Sequence, residues 1–336
     1  MNRPRILVAR AIPEKVLHFL QQHAEVRDNQ QHDVSWDQET LIAQLQGMDG
    51  LLATGTQRID AALLAACPQL KVVANMTVGF NNLDVQALSA AGVQGTNAPD
   101  VLTETTADFG FALLMATARR ITESEHYLRA GLWRQWRYDM FVGAEVHSST
   151  LGIIGMGRIG QAIARRAALG FGMRVLYHNR SRLAPQVEAA CQAQYVDKAT
   201  LLQQADHVML VLPYTPENHY AIGAAELALM RPTATLINIA RGGIVDDAAL
   251  AQALQAGRIA AAGLDVFEGE PQVHPDLLAC RNVVLTPHIA SATVATRHAM
   301  AQLAADNLLA VLGGKAPLTP VNTPDPAARA QRWSLA

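Results

Sequence analysis

The chain has 336 residues, half of them apolar and 17% charged, and 27 Lys and Arg set against 29 Asp and Glu leave a formal charge of −2. That length exceeds one ordinary core and calls for two domains of roughly 100–200 residues each, while the apolar share excludes a mainly disordered chain. With no basic excess to release counterions from phosphates, nucleic acid and anionic membrane surfaces are excluded as partners, and the expected ligands are small molecules.

At the amino terminus the apolar stretch runs only from Ile6 to Ala9 before Arg10, too short for a signal peptide. No run reaches the length of a membrane span. Cys67, Cys191 and Cys280 are far apart and outside any C-x-x-C spacing, which argues against a disulfide framework or a zinc site, so a cytoplasmic location is expected.

Short β-branched or apolar runs then alternate with helical patterns, the sign of parallel strands joined by crossover helices. Arg5–Ala9, Gly50–Ala53 and Val72–Asn75 read as strands, with helices near Glu14–His23, Gln38–Gln46, Asp60–Ala66 and Leu83–Ala91. Helical patterns over Glu104–Ala118 and Arg119–Gly131 lead to an irregular, aromatic-rich segment, Leu132–Gly143. A second α/β series follows, with strands at Leu151–Ile154, Arg174–Tyr177, His207–Leu212, Thr235–Asn238, Ala262–Asp265 and Val283–Thr286, which together predict a doubly wound sheet. The last long helix, Ala292–Leu312, ends at Gly313–Gly314 and is long enough to return to the first domain. Residues beyond Asn322 mix Pro, Ala and Arg without periodicity and are expected to form a loose tail, 323–336.

The first strand of the second series runs into Gly155-x-Gly157-x-x-Gly160 and then a helical pattern over Gln161–Leu169. In that context Gly155 allows a tight turn, Gly157 lets backbone approach a pyrophosphate and Gly160 allows close helix–strand packing. The free N–H groups of the helix face the anion, so Gly155, Gly157, Arg158, Ile159 and Gly160 are expected dinucleotide contacts, with Arg158 adding charge. An NAD site places an acid at the end of the following strand, where its carboxylate accepts from the ribose hydroxyls. Here no acidic residue occurs between Gly160 and Glu188, and the strand ends in Asn179-Arg180-Ser181-Arg182. Two guanidiniums and a hydroxyl suit a 2′-phosphate, which points to NADP(H) as the preferred cofactor, with NAD(H) as the lesser alternative. Ordinary solvated loop charges are the competing explanation.

Three further strand ends carry Arg241, Glu270 and His288. Reducing a 2-keto acid needs a group to hold the carboxylate and polarise the carbonyl, and an acid to protonate the developing alkoxide. Arg241 can fork onto those oxygens, His288 can exchange the proton, and Glu270 can hydrogen-bond the imidazole and stabilise its cation. Taken singly, each has a structural explanation, such as Arg241 pairing with Asp246 or Asp247. Their joint appearance at successive strand ends beyond a dinucleotide turn favours chemistry.

These segments, with Gly-Met-Gly-Arg-Ile-Gly at 155–160, resemble the D-isomer-specific 2-hydroxyacid dehydrogenase family over nearly the whole chain. The likeness is greatest to its glyoxylate/hydroxypyruvate and 2-ketogluconate reductase branch. The resemblance implies that Arg241, Glu270 and His288 are the catalytic set, and that backbone N–H groups of Val78 and Gly79 bind the substrate carboxylate. It further implies that Thr106 touches the nicotinamide end and that Asp265 supports the nicotinamide amide. Asn81 stands where many relatives carry Asp, a departure expected to affect loop packing more than chemistry.

The fold so implied is two doubly wound α/β domains, a Rossmann cofactor domain (101–288) inserted into a discontinuous flavodoxin-like substrate domain (1–100 and 289–322). A homodimer is implied as well, with the loop after Gly131–Trp136 reaching towards the partner; dimer packing alone explains Trp133 and Trp136 equally well. The expected activity is NADPH-dependent reduction of glyoxylate, hydroxypyruvate or 2-ketogluconate to a D-2-hydroxy acid. The alternatives are a non-catalytic NAD(P)-sensing protein of this fold and an NAD-dependent D-3-phosphoglycerate-type dehydrogenase.

Overall fold

The computed structural model describes residues 3–334, in two units: the chain up to Leu102 together with that from Ala292 onward, and Thr103–Ser291. In the first unit β1 (Arg5–Val8), α1 (Glu14–His23), β2 (Glu25–Asp28), α2 (Gln38–Leu45), β3 (Gly50–Ala53), α3 (Ala61–Ala66), β4 (Val72–Asn75), α4 (Val85–Ala90) and β5 (Gln94–Thr96) follow in turn. The strands form one parallel sheet ordered β2-β1-β3-β4-β5, the flavodoxin-like order. β3 and β4 are buried at every position because helices cover both faces, so Leu51–Ala53 and Val72–Ala74 read as unbroken apolar runs.

The second unit holds α5 (Thr103–Ala118), α6 (Ile121–Arg129), β6 (Thr150–Ile154), α7 (Arg158–Arg165), β7 (Arg174–His178), α8 (Pro185–Cys191), β8 (Ala193–Tyr195), α9 (Lys198–Gln204) and β9 (His207–Leu210). It continues with α10 (Ala224–Leu229), β10 (Thr235–Asn238), α11 (Asp247–Gln255), β11 (Ala261–Leu264), α12 (Pro275–Ala279) and β12 (Val283–Leu285). Its seven strands are parallel and ordered β12-β11-β10-β9-β6-β7-β8. The winding reverses between β6 and β9, so the carboxyl ends of those strands form the ligand-binding switch point. One apolar cluster packs on each face, around Leu236, Leu210 and Leu264 on one side and Ile153, Ile163 and Phe111 on the other.

α13 (Val294–Leu312) returns to the first unit and packs on its sheet through Ala301, Ala304, Ala305 and Leu308, so closely that a Cβ on Gly50 would lie 2.8 Å from Leu308. Residues 323–336, expected as a loose tail, contain α14 (Pro326–Trp333), capped by Asp325, whose side chain accepts from the Ala328 N–H. The expectation fails because Arg332 donates to the carbonyls of Leu64, Cys67, Leu70 and Ala91, and Lys71 sits 5.2 Å over the Trp333 ring. Those partners lie over 240 residues away, beyond any local pattern. The strands β2, β5 and β8 also exceed the expected set; they are short, and β2 and β8 lie at sheet edges with polar faces. α7 begins at Arg158 rather than Gln161, because Gly157 itself is the N-cap.

Among the described residues no helix is long and apolar enough to cross a membrane, and no group of His, Cys, Asp or Glu could hold a metal ion.

Candidate active site

At the switch point the Gly155–Gly160 turn has the form its glycines predict. Gly155 sits at φ +102°, and a Cβ there would lie 2.7 Å from the Val211–Leu212 backbone. A Cβ on Gly160 would lie 2.4 Å from the Gly155 carbonyl, whereas one on Gly157 would point into open space. Asp37, Asp60, Asp84, Asp197 and Asp246 cap their helices by accepting an N–H of the first turn. α7 has no side-chain cap, leaving first-turn N–H groups, those of Ile159 and Gly160 among them, to an anion. On α5, Thr106 is buried and its hydroxyl lacks a hydrogen-bond partner, as a residue awaiting a ligand would. A nicotinamide dinucleotide therefore fits the residues present.

The end of β7 is less simple than its sequence. Asn179 accepts the Met156 N–H on its Oδ1 at 2.6 Å, pinning the glycine turn to β7. Arg180 and Ser181 are exposed, but Arg182 is engaged by Glu188 through two bonds of 2.8 and 2.9 Å. Two unengaged guanidiniums were expected here; one is already paired with the first acid that the sequence supplies.

The candidate reacting residues are built on backbone locks. Asn238, buried at the end of β10, accepts the Ala240 N–H and donates to the Arg241 carbonyl. A Cβ on Gly242 would lie 1.8 Å from the Phe267 carbonyl, so the Arg241 turn lies directly on the Phe267–Glu270 loop. That loop is held by the buried Asp247, whose carboxylate accepts the Glu268 N–H at 3.1 Å, and by Glu270 itself, whose Oε1 accepts the Phe267 N–H at 2.9 Å. The other oxygen of Glu270 accepts from His288 Nδ1 at 2.8 Å. His288 Nε2 has no partner among the described residues and 45% of the side chain is exposed, so the free nitrogen is presented outward.

Burial pushes the Arg241 guanidinium below its usual value, against the opposing charge of Glu270. Burial acts to raise Glu270, but its bond from His288, the charge of that ring, the Phe267 N–H and Arg241 together bring it below the ordinary carboxylate range. Glu270 is therefore a carboxylate at neutral pH and favours the Nδ1–H form of the ring.

Asp265 is fully buried at the end of β11, and its carboxylate accepts from the Thr286 hydroxyl at 2.7 Å and from the N–H groups of Ile289 and Ala290 at 2.8 and 2.9 Å. Burial raises this carboxyl, and those three donors with the His288 charge oppose the rise. Three donors from one loop make Asp265 the clamp on the segment carrying His288, whose backbone is left-handed at φ +54°.

In the first unit, the carbonyl of Val78 accepts from Asn97 at 2.7 Å, and that of Gly79 accepts from Thr77 at 2.7 Å and from Asn75 at 3.0 Å. Their N–H groups have no partner among the described residues, as an anion-binding pair requires. Asn82 braces the same loop by donating to the Thr54 and Gln57 carbonyls, while Asn81 is exposed and makes no hydrogen bond among the described residues. Asn75, Asn82, Asn97, Asn238 and Asp247 were missed in the sequence reading. The buried polar residues closing apolar strands, Asn75 and Asn238, carried a local signal; the others carried none.

A cavity of about 790 Å³ in the second unit, lined by Arg120, Val142, Thr233, Gln255, Cys280 and Val283, lies toward the amino-terminal ends of β10–β12 and includes none of these groups.

Comparisons with known proteins identify the relatives of this chain. Residues 111–290 match the family model described as D-isomer specific 2-hydroxyacid dehydrogenase, NAD binding domain. A glyoxylate reductase of Thermococcus onnurineus is 47% identical over 325 residues, 95% of this chain and 96% of that protein. The crystal structure of an NADPH-dependent glyoxylate/hydroxypyruvate reductase from Sinorhizobium meliloti in complex with NADP and malonate is 38% identical, with a TM-score of 0.85 over 96% of this chain and 98% of that one. The holo form of D-mandelate dehydrogenase from Rhodotorula graminis is 29% identical, with a TM-score of 0.83 over 96% of this chain and 98% of that one.

Proposed function

The chain belongs to the D-isomer specific 2-hydroxyacid dehydrogenases, and from that premise we propose that it reduces small 2-keto acids, glyoxylate foremost with hydroxypyruvate and 2-ketogluconate as further candidates, to D-2-hydroxy acids using NADPH. The observation that carries this reading is the 2.8 Å bond from His288 Nδ1 to Glu270, which leaves Nε2 open on a ring built to carry positive charge. When bound, the nicotinamide supplies a hydride to C2. Arg241 polarises the carbonyl and holds the substrate oxygens, aided by the Val78 and Gly79 N–H groups at the carboxylate. His288 gives its Nε2 proton to the oxygen that becomes the hydroxyl, and Glu270 keeps the Nδ1 proton in place throughout.

Gly155, Gly157, Arg158, Ile159 and Gly160 hold the pyrophosphate, with Thr106 toward the nicotinamide. Asn179, Arg180 and Ser181 form the adenosine end. No carboxylate stands at positions 179–182, where one would accept from the ribose hydroxyls, and this supports NADPH over NADH. A homodimer is supported by the apolar surface of the second unit, where Leu132, Trp133, Trp136, Tyr138 and Val142 are each more than half exposed.

The test is the loss of nicotinamide absorbance when purified protein meets glyoxylate, hydroxypyruvate and 2-ketogluconate with each reduced cofactor. Turnover of glyoxylate, faster with NADPH, is expected. No oxidation of either cofactor with any of the three acids would overturn the proposal.

A further inference from the structure

The strand end that faces the choice of cofactor contains an acid that offsets one of its own cations. The Arg182 guanidinium grips the Glu188 carboxylate with two bonds, Nε to Oε1 at 2.9 Å and Nη2 to Oε2 at 2.8 Å. The same Oε1 accepts the Tyr177 hydroxyl at 2.6 Å, and that hydroxyl oxygen accepts the Leu183 N–H at 2.8 Å. The Glu188 side chain is 11% exposed and that of Arg182 is 65% exposed, so the carboxylate is the anchor and the guanidinium the partner drawn to it. Hydrogen bonds from Arg182 and Tyr177 hold Glu188 down at about 2, while burial and its bond to Glu188 push Tyr177 up to about 12. The cluster thus keeps one charge state through the neutral range. Arg180, two residues earlier, makes no hydrogen bond among the described residues, and its positive charge is felt by Glu217.

We propose that Glu188 limits the selectivity of this enzyme for NADP(H) over NAD(H) by holding Arg182 off the ribose 2′-phosphate, so that Arg180 is the selecting cation and Arg182 a latent one. This rests on the NADP(H) reading above. For Arg182 to serve the phosphate, its fork on Glu188 must break, and the carboxylate left behind repels the incoming dianion. The strand end therefore presents one effective guanidinium where its sequence shows two. Glu188 touches no ligand and acts through Arg182, so it is a positioning residue.

The test is calorimetric binding of adenosine 2′,5′-bisphosphate and of adenosine 5′-monophosphate to the wild type, E188Q, R182A, R180A and the double variants E188Q/R182A and R180A/R182A. Gln at 188 keeps an acceptor for Tyr177 while losing its hold on the guanidinium. Binding of the bisphosphate should tighten about fivefold in E188Q and return to the wild-type level in E188Q/R182A, with the monophosphate unchanged. In the wild-type background R180A should weaken the bisphosphate about tenfold, and R182A, which uncovers the Glu188 carboxylate, should bind it more weakly than E188Q/R182A does. The inference is overturned if E188Q binds the bisphosphate as the wild type does, or if E188Q/R182A binds it as weakly as R180A. Loss of the NADP(H) reading itself has a separate signature: R180A/R182A would bind both nucleotides with wild-type affinity.

Discussion

Under the proposed function, the carboxyl ends of β10–β12 and the carboxyl end of β7 serve one reaction by opposite means. At β10–β12 the working side chains sit on loops locked by buried groups: Asn238 under Arg241, Asp247 under the Phe267–Glu270 loop and Asp265 under the His288 segment. At β7 Arg180 is exposed without a hydrogen bond among the described residues, and the exposed Arg182 is held by a single ion pair. Buried locks are hard to change without losing the fold, because each removal strands donors away from water. Exposed pairs shift by small energies, so the chemistry resists substitution where cofactor choice does not.

The sharpest way to break this contrast is at the free nitrogen. His288→Asn should lower kcat by about a thousandfold, within the range of lost acid–base catalysis, while NADPH binding followed by fluorescence changes little; unreduced turnover would remove His288 from its role. Asp265→Ala touches no substrate in this account but releases the Thr286 hydroxyl and the Ile289 and Ala290 N–H groups. It should destabilise the second unit by about 2–4 kcal/mol in denaturant unfolding and depress kcat with it.

Asp247 sharpens the comparison through pH. Burial raises it to about 6, so its contribution to stability is present below the ordinary carboxylate range and is lost as pH rises through about 6. Asp247→Asn keeps an acceptor for Glu268 and should stabilise the protein by on the order of 2 kcal/mol near pH 8, with little effect near pH 4, read from unfolding midpoints at both values.

The smallest effect belongs to the exposed end. Asn179→Asp retains an acceptor for the Met156 N–H and adds a charge that repels a 2′-phosphate, so KM for NADPH should rise about tenfold and KM for NADH should not. If Asp265→Ala proved harmless while Asn179→Asp unfolded the protein, the division drawn here would be reversed.

Much of this was legible in the chain. Gly50–Ala53, Val72–Asn75 and Thr235–Asn238 were readable because strands covered on both faces carry continuous apolar stretches, here Leu51–Ala53, Val72–Ala74 and Leu236–Ile237. The polar edge strands β2 and β8 were not, since their pairing partners supply the only evidence for them. Arg241, Glu270 and His288 were visible as chemistry-bearing residues at successive strand ends, whereas Asp247 and Asn97 read as ordinary polar residues until their backbone partners are seen.

Residue order alone determined the parallel α/β class and the glycine turn, because periodicity and backbone freedom are local properties. Tertiary structure alone decided that α14 docks through Arg332, that Asp265 clamps the histidine loop and that Arg182 is paired with Glu188. Each of those depends on a hydrogen bond whose energy is set by burial and by a partner brought near in space, and neither is encoded at the position itself.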